Sequence, residues 1–451
     1  MSKHGQTVKG ETGSEGIVDA RQLGRPKMLV LGVQHMFAMF GATVLVPALT
    51  GLNVSTTLLF AGLGTLLFHF LAKGKVPAFL GSSFAFLAGY AAIAPKGDPR
   101  LLPYACFGVA CAALIYFIMA VLVKIFGGAR VMRFFPPIVT GPIIIAIGLN
   151  LSQTAIDSCA DNWGLALVAI AIIVVCNIWG KGMIKIIPII LGVIGSYLFA
   201  AATGNVDWQP VREAAWFGLP IHLDQTVFSL FGNADKTLLI NAVITIMPIA
   251  LATVVEHIGD ISAISSTVGK NFIRDPGLHR TLAGDGLATM IAALFGAPAN
   301  TTYGENTGVL NLTKVFDPRV VRIAALLACL FSFSPKLGSV ITCMPTATMG
   351  GVSLVLYGMI AAVGVRNIVE NKVDFTKSRN VIIAALILVL SIGIKYSAAG
   401  AITFVIGSLT ISLSGLAIGA LIGILLNAFL PGKDYKFDEE KPDDTKVNFQ
   451  I

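Results

Sequence analysis

Apolar stretches long enough to cross a lipid bilayer recur along most of the chain, and they restrict its possible folds more than any other feature. A transmembrane helix needs about 20 predominantly apolar residues. Fourteen windows meet or nearly meet that length, and they begin near Met28, Val54, Pro77, Leu101, Val131, Trp163, Ile184, Leu238, Leu282, Tyr303, Val320, Val340, Val381 and Ile402. The sequence therefore predicts an all-α polytopic membrane protein with 14 transmembrane segments.

Composition agrees with a membrane protein and excludes several other classes. The 451 residues are 55% hydrophobic and only 12% charged, which exceeds what a water-soluble core needs. The net charge of +8 is spread over many loops, so we expect membrane lipids as partners and no nucleic acid. Without a CxxC pair or a ligand cluster, neither a cofactor nor a metal site nor a disulfide framework is expected.

The distribution of Lys and Arg predicts how the chain is oriented. Cytoplasmic loops of membrane proteins carry an excess of these residues. With 14 spans and a cytoplasmic N-terminus, all but six of the 32 fall inside, the six being Lys96, Arg100, Arg212, Lys236, Lys336 and Lys395. We therefore expect a plasma (inner) membrane protein with both termini in the cytoplasm. The N-terminal tail lacks the pattern of a cleaved signal peptide.

The two halves of the chain share an internal repeat. Gln34-His35 and Glu256-His257 are separated by 222 positions, and at the same offset AGLG from position 61 matches AGDG from position 283. Ser83 then corresponds to Glu305. Seven spans per half is an odd number, so the second copy must enter the membrane from the opposite side. Such inverted repeats are typical of transporters, which bind substrate where interrupted segments of the two halves meet.

Each half has one such interruption, KGKVPAFLGSSFAF in the first and FGAPANTTYGENTG in the second. Both place Pro, Gly and hydroxyl residues before a further apolar run, which leaves backbone N–H groups free to face a ligand. Glu305 lies in the second interruption. A carboxylate at membrane depth is costly and is a functional-site hypothesis by default.

On these motifs the sequence resembles the nucleobase/ascorbate transporter family and, within it, the bacterial uracil permeases, from about Leu31 to Phe429. The matching stretches are LGVQHMFAMFGATVLVP, KVPAFLGSSFAF, EHIGD, RDPGLHR, NTTYGENTGVLNLTK and MGGVSLVLYG. The resemblance implies two inverted seven-segment repeats, a core domain, a gate domain, and two short central antiparallel strands, which we expect near Gly81–Phe84 and Thr301–Gly304.

The resemblance also implies a division of the chain into parts. The predicted parts are an N-terminal tail (1–27), a first core half (28–130), a first gate half (131–203), an extracellular loop (204–235), a second core half (236–338), a second gate half (339–430) and a C-terminal tail (431–451).

The candidate substrate site contains two carboxylates. Residues matching Glu256 and Glu305 bind the nucleobase in the permeases that this sequence resembles; Phe84 and Tyr303 match positions lining the pocket, and Ser83 is adjacent. Carboxylates suit a neutral ring that offers N–H donors, while the backbone N–H groups of Phe84 and Gly304 are expected to donate to its carbonyl oxygens.

The same carboxylates are candidates for proton coupling, because a protonated carboxyl is tolerated at the bilayer midplane better than a charged one. Asp260 follows Glu256 by four residues on the same helix face, so Glu256, Asp260 and Glu305 are the predicted proton carriers. The best-known uracil permeases have histidine where this chain has Asp260, and purine-transporting members more often have Asp.

Other polar residues are expected to support the site. His257 is expected to pack or hydrogen-bond, His35 to anchor the interrupted strand, and Asp285 to lie at a helix end or in a polar network. A network or gate role is also assigned to Gln34, Asn306, Thr313 and Tyr357.

The predicted function is import of uracil by proton symport. Three other functions are considered beside it: an enzyme, an anion transporter and a purine transporter. An enzyme is not expected, since the AGDG stretch lacks the partner motif of intramembrane aspartyl proteases and no P-loop is present. An anion transporter of the same fold would be repelled by Glu256 and Glu305. Transport of xanthine or urate is the closer alternative. Many purine transporters have glutamine at the position that matches Glu305, and the glutamate in this chain favours a pyrimidine, because a carboxylate requires a donor. The resemblance further implies a homodimer formed through gate domains.

Overall fold

The computed structural model describes residues 7–9, 15–232, 234–406 and 409–433. A short strand pair, β1 (Thr7–Lys9) and β2 (Glu15–Ile17), precedes the first half. The first half contains α1 (Arg25–Thr50), α2 (Val54–Leu71), β3 (Leu80–Ser82), α3 (Leu87–Ile93), α4 (Leu102–Phe126), α5 (Gly128–Met132), α6 (Pro137–Ala160), α7 (Trp163–Ile178), α8 (Met183–Ile186) and α9 (Pro188–Ala202).

The second half repeats this order after a long loop. It contains α10 (Gln209–Glu213), α11 (Lys236–Ile246), α12 (Ala250–Val268), α13 (Leu278–Leu294), β4 (Asn300–Thr302), α14 (Gly304–Thr313), α15 (Pro318–Phe331), α16 (Pro335–Thr342), α17 (Thr346–Glu370), α18 (Ser378–Lys395), β5 (Ala401–Ile406), β6 (Leu409–Ser414) and α19 (Gly415–Phe429). In both halves, long helices lead to a three-residue strand, which is followed by a short helix.

The described residues confirm a mostly helical protein that crosses the membrane several times. Seven helices are long and apolar enough to span a bilayer, and an eighth span results if α15 and α16, bent by 89°, are taken together. Shorter apolar helices are α7, α9 and α19. The total of fourteen segments stays a prediction, because several of its members are shorter than a full span.

The predicted central strands are confirmed as an antiparallel pair, one strand from each half. Gly81 lies opposite Thr301 in the register. The strands are shorter than expected, since Phe84 lies in a bend before α3 and Gly304 already begins α14. Two further backbone bonds extend the pairing, from Ser83 N–H to the Ala299 carbonyl (2.8 Å) and from Tyr303 N–H to the Phe79 carbonyl (3.0 Å).

Each strand is held by a threonine hydroxyl from the helix that precedes it. Thr65 on α2 donates to the Leu80 carbonyl (3.1 Å) and accepts from the Leu80 N–H (2.9 Å). Thr289 on α13 makes the same two bonds to Asn300, at 2.9 and 3.2 Å. Because buried backbone groups need hydrogen-bond partners, these hydroxyls allow non-helical backbone at the centre of the protein, in the same way in both halves.

The span expected to begin near Ile402 is wrong in its first part. Residues Ala401–Ile406 and Leu409–Ser414 form a hairpin, and helix begins only at Gly415. The segment is rich in β-branched residues, which favour strands. Hydropathy alone cannot distinguish such a run from a buried helix. Most of the predicted C-terminal tail, after residue 433, lies outside the described residues.

The N-terminal segment packs against the loop between α14 and α15. Ile17 donates to the Lys314 carbonyl and accepts from the Phe316 N–H, both at 2.8 Å. The buried carboxylate of Asp317 accepts from the Ala20 N–H at 2.8 Å and caps α15 through the Arg319 N–H at 2.9 Å. This part of the predicted tail is therefore an ordered contact with the second half.

Candidate substrate site

A cavity of about 630 Å³ extends from the central strand pair between α12 and α14 on one side and α6 and α17 on the other. Its volume is in the range of small-molecule sites. Of the predicted site residues, six line this cavity: Phe84, Glu256, Asp260, Tyr303, Gly304 and Glu305. The structure therefore brings together the two candidate carboxylates, their predicted proton partner and the start of α14.

Glu256 and Asp260 lie one turn apart on α12 and both line the cavity. Asp260 Oδ2 accepts a hydrogen bond from the hydroxyl of Thr302, at 2.9 Å. Oε2 of Glu256 is buried, and within the described part of the chain it has no hydrogen-bond partner. A buried acceptor without a donor is costly. Glu256 is thus suited to accept a hydrogen bond from a ligand or to bind a proton.

Glu305 lies in the first turn of α14, directly after Gly304. The first N–H groups of a helix have no intrahelical acceptor, and a negative charge there is favourable. A side chain added at Gly304 would meet no atom within 4 Å, so the backbone here borders open space. Exposed N–H groups and a carboxylate therefore face the same cavity, as a ligand with both acceptors and donors requires.

The hydroxyl of Tyr303 points into the protein and away from the cavity. It donates to the Ser82 carbonyl at 3.0 Å and lies 3.3 Å from the Thr43 hydroxyl. Tyr303 consequently contributes its ring and backbone to the site. Ser83 is completely buried and is not part of the cavity wall, although its N–H completes the strand pairing.

Phe84 and Tyr357 connect the first strand to α17. Their rings pack edge to face with centroids 5.6 Å apart. Phe84 reaches the cavity, whereas Tyr357 lies behind it and is 1% exposed. Tyr357, assigned to the gate from the sequence, therefore contacts the candidate site through Phe84.

His257 lies about 100° around α12 from Glu256 and does not line the cavity. Its Nδ1 lies 2.8 Å from Oδ2 of Asp285, and both side chains are fully buried. Asp285 is in the middle of α13, so the expectation of a helix-end residue is wrong and the network alternative describes its position. The role predicted for His257, to pack or to form a hydrogen bond, stays a prediction.

The side chain predicted to anchor the interrupted strand, that of His35, instead contacts α14. Asn306 Nδ2 lies 3.1 Å from His35 Nδ1 and donates to the His35 carbonyl, also at 3.1 Å. The neighbouring Gln34 has a buried Oε1 for which the described residues provide no donor. Thr313 donates to the Val309 carbonyl (2.8 Å) at the far end of α14. All four residues lie outside the cavity wall, and the contacts between His35 and Asn306 join α1 to the helix that carries Glu305.

Thr302, Thr43 and the strand-holding threonines were missed by sequence reasoning. Threonines are frequent in apolar helices, so their type carries no distinctive signal. Only Thr302 had a usable signal. It lies two residues before Gly304 in NTTYGENTG, and alternate residues of a strand point to the same face.

Comparisons with known proteins show the family and the fold of the chain. The family model Xan_ur_permease, described as Permease family, matches residues 26–400. The uracil permease of Bacillus caldolyticus is 41% identical, over 92% of this chain and 95% of the relative. The uracil permease of Bacillus subtilis is 39% identical, over 88% and 91% of the two chains. Among solved structures, the transmembrane domain of the cyanobacterial bicarbonate transporter BicA is 15% identical with a TM-score of 0.56, covering 92% of this chain and 99% of that domain, which shows a shared fold alone.

Proposed function

This chain belongs to the Permease family, and we propose that it imports uracil into the cytoplasm together with protons. Nucleobase transport is supported by the family and by relatives that carry the name uracil permease at 39–41% identity over nearly their whole length. No part of this activity requires covalent chemistry, and the family comprises transporters, so the chain is not an enzyme.

The observation that carries the proposal is the pair of carboxylates, Glu256 and Glu305, in one cavity beside the N-terminus of α14. A uracil ring offers two N–H donors and two carbonyl oxygens. The carboxylates accept from the ring nitrogens, and backbone N–H groups at Gly304 and Phe84 donate to the carbonyls. Each polar group of a neutral ligand then finds a partner, which offsets its loss of hydration.

Coupling to protons is assigned to Asp260 together with the two glutamates. Three carboxyl groups that line one cavity repel one another when all are ionised. A proton from outside removes part of this repulsion, so substrate and proton bind favourably together. The hydroxyl of Thr302 holds Asp260 through Oδ2 and orients its other oxygen.

Alternating access is assigned to movement of the strand-bearing body, which includes α12 and α14, against α6 and α17. The cavity is also lined by Lys185, Lys314 and Arg366, three residues predicted to lie on the cytoplasmic side. This supports an inward-facing state in the plasma membrane, with both termini in the cytoplasm. A homodimer through the gate domains, 131–203 and 339–430, belongs to the same proposal.

The two alternatives are less well supported. The fold is shared with a bicarbonate transporter, but three carboxylates line the candidate site, and carboxylates repel anions. A purine such as xanthine would also fit into about 630 Å³. The preference for uracil therefore rests on Glu305 and on the names of the relatives.

The test is uptake of radiolabelled uracil and xanthine, measured separately, in cells that lack their own nucleobase permeases. Wild-type protein, Glu305→Gln and the exposed-surface control Glu213→Gln are compared with and without a protonophore. We expect uracil accumulation that the protonophore and Glu305→Gln abolish and Glu213→Gln leaves unchanged. Accumulation of xanthine alone would refute the substrate assignment, and accumulation that survives the protonophore would refute proton coupling.

A further inference from the structure

The loop between α10 and α11 presents unusually large apolar side chains on its outer surface. Trp216, Phe217 and Leu219 are 70%, 86% and 78% exposed. They are consecutive but for Gly218. Large contiguous apolar patches mark interaction sites. Exposing these three large apolar side chains to water would be unfavourable.

The loop is tied firmly to the bend between α15 and α16. Gly218 N–H donates to the Phe333 carbonyl, and Lys336 N–H donates to the Ala215 carbonyl, both at 3.0 Å. A side chain at Gly218 would collide with the ring of Pro335, 2.6 Å away. The close approach and the two bonds fix the exposed side chains relative to the end of α15.

This bend continues an apolar stripe that faces outward along α15. Leu326, Leu330 and Phe333 are spaced at helical intervals and are all exposed. On a helix of a membrane protein such a stripe faces lipid. Because Phe333 bonds directly to the loop, the lipid-facing surface runs without a gap from α15 to Trp216 and Phe217.

A charged group beside the patch indicates the depth at which it lies. Nζ of Lys336 is 4.6 Å from the centre of the Trp216 ring. Lysine near the end of an apolar helix extends to the headgroup region, where tryptophan is also enriched. Helix α16 turns 89° away from α15 at this level, as expected where a chain leaves the hydrocarbon and follows the membrane surface.

We propose that residues 215–219 form an interfacial anchor, which inserts Trp216, Phe217 and Leu219 into the lipid bilayer at the headgroup boundary. The occupant of the patch is thus lipid, because the patch is continuous with a lipid-facing helix and carries a paired Trp and Lys. The anchor is attached to α15 and, through the Pro220 carbonyl and Thr56 hydroxyl, to α2. It therefore holds the strand-bearing body at a defined depth in the membrane.

The test is tryptophan fluorescence of the whole protein in liposomes. Trp163, Trp179 and Trp208 are replaced by Phe to leave Trp216 as the sole tryptophan. A second variant retains only Trp208, which stacks on Tyr197 with ring centroids 5.7 Å apart. Emission is recorded in lipids brominated near the headgroup, in lipids brominated near the acyl-chain end, and with aqueous iodide. If the variants with three replaced tryptophans fold poorly, the emission of Trp216 is obtained as the difference between wild-type protein and Trp216→Phe.

We expect Trp216 to lose most of its emission in lipids brominated near the headgroup, and less in lipids brominated near the acyl-chain end. Iodide should have a small effect, and Trp208 should respond less to either lipid. Strong quenching of Trp216 by iodide with none by bromolipid would overturn the proposal, since the patch would then face water. Protection from both quenchers would overturn it in favour of a protein partner, such as a second copy of the chain.

Discussion

Gly81→Ala is the substitution that tests most directly whether the central strand pair positions the candidate site. A Cβ at this position would lie 2.5 Å from Cε2 and Cζ of Tyr303 and 2.7 Å from the Thr43 hydroxyl oxygen. Ordinary contact begins at 3.4 Å, so the Tyr303 ring would have to move by about 0.9 Å, the difference between 3.4 and 2.5 Å. Tyr303 is followed directly by Gly304 and Glu305, and the displacement is therefore transmitted to the start of α14.

The size of the effect follows from the cost of overpacking, which is about 1–3 kcal/mol in a well-packed core. Because 1.4 kcal/mol corresponds to a factor of ten in affinity, a displacement borne entirely by the substrate site would raise the KM for uracil by about fivefold to 150-fold. A displacement borne by the fold would lower the melting temperature instead. We expect the first effect to dominate, since the backbone at Gly304, next to Tyr303, borders open space and can shift.

The assay is concentration-dependent uptake combined with thermal unfolding of purified protein. Gly393→Ala is the matched control, because it makes the same change in an outward-facing helix position where a Cβ would meet no atom within 4 Å. Its KM and melting temperature should equal those of the wild type. If Gly81→Ala also leaves both unchanged, the strand pair does not position the site as the structure indicates, and the reasoning fails.

Four further substitutions test other contacts. Thr302→Val removes the donor to Asp260 and, since hydrogen bonds to charged groups contribute about 1.5–3 kcal/mol, should reduce proton-driven uptake about tenfold or more. Asp260→Asn should abolish accumulation while exchange of external for internal substrate persists; pH-dependent accumulation like that of the wild type would exclude Asp260 from coupling. Asp317→Ala removes the cap of α15 and should destabilise the protein by about 1–2 kcal/mol, seen as a lower melting temperature. Gly148→Ala places a methyl group 2.4 Å from the backbone carbonyl of Tyr357 and should lower the melting temperature further; an unchanged value would contradict the close packing of α6 on α17.

The general fold was predictable because its signals are repeated along the chain. Apolar windows, the excess of Lys and Arg in alternate loops and the offset of 222 positions all reinforce one another. The strand pair was predictable to within two residues. The hairpin of β5 and β6 was not, because an apolar run with β-branched residues is compatible with either a helix or a strand. Whether this run forms a helix or strands depends on whether a neighbouring segment provides partners for its backbone hydrogen bonds.

The site was predictable in residue type more than in geometry. Glu256, Asp260 and Glu305 were recognisable because carboxylates in apolar segments are rare, and all three line the cavity. The sequence did not show that Thr302 would hold Asp260, because threonine is common in such segments. Nor did it show that the hydroxyl of Tyr303 would turn inward to the Ser82 carbonyl.

By itself, the sequence determined that this protein is a polytopic membrane protein with an internal repeat, and it identified the carboxylates that a neutral N–H-bearing ligand would need. Hydropathy, charge distribution and repeat spacing depend only on the order of the residues, so they can be read directly from the sequence. Only the tertiary structure decided which carboxylate has a donor, that His257 pairs with Asp285 away from the cavity, and that Phe84 links the site to Tyr357. Those contacts join residues of different elements, so they depend on how the elements pack together, which the periodicity of a single helix does not predict.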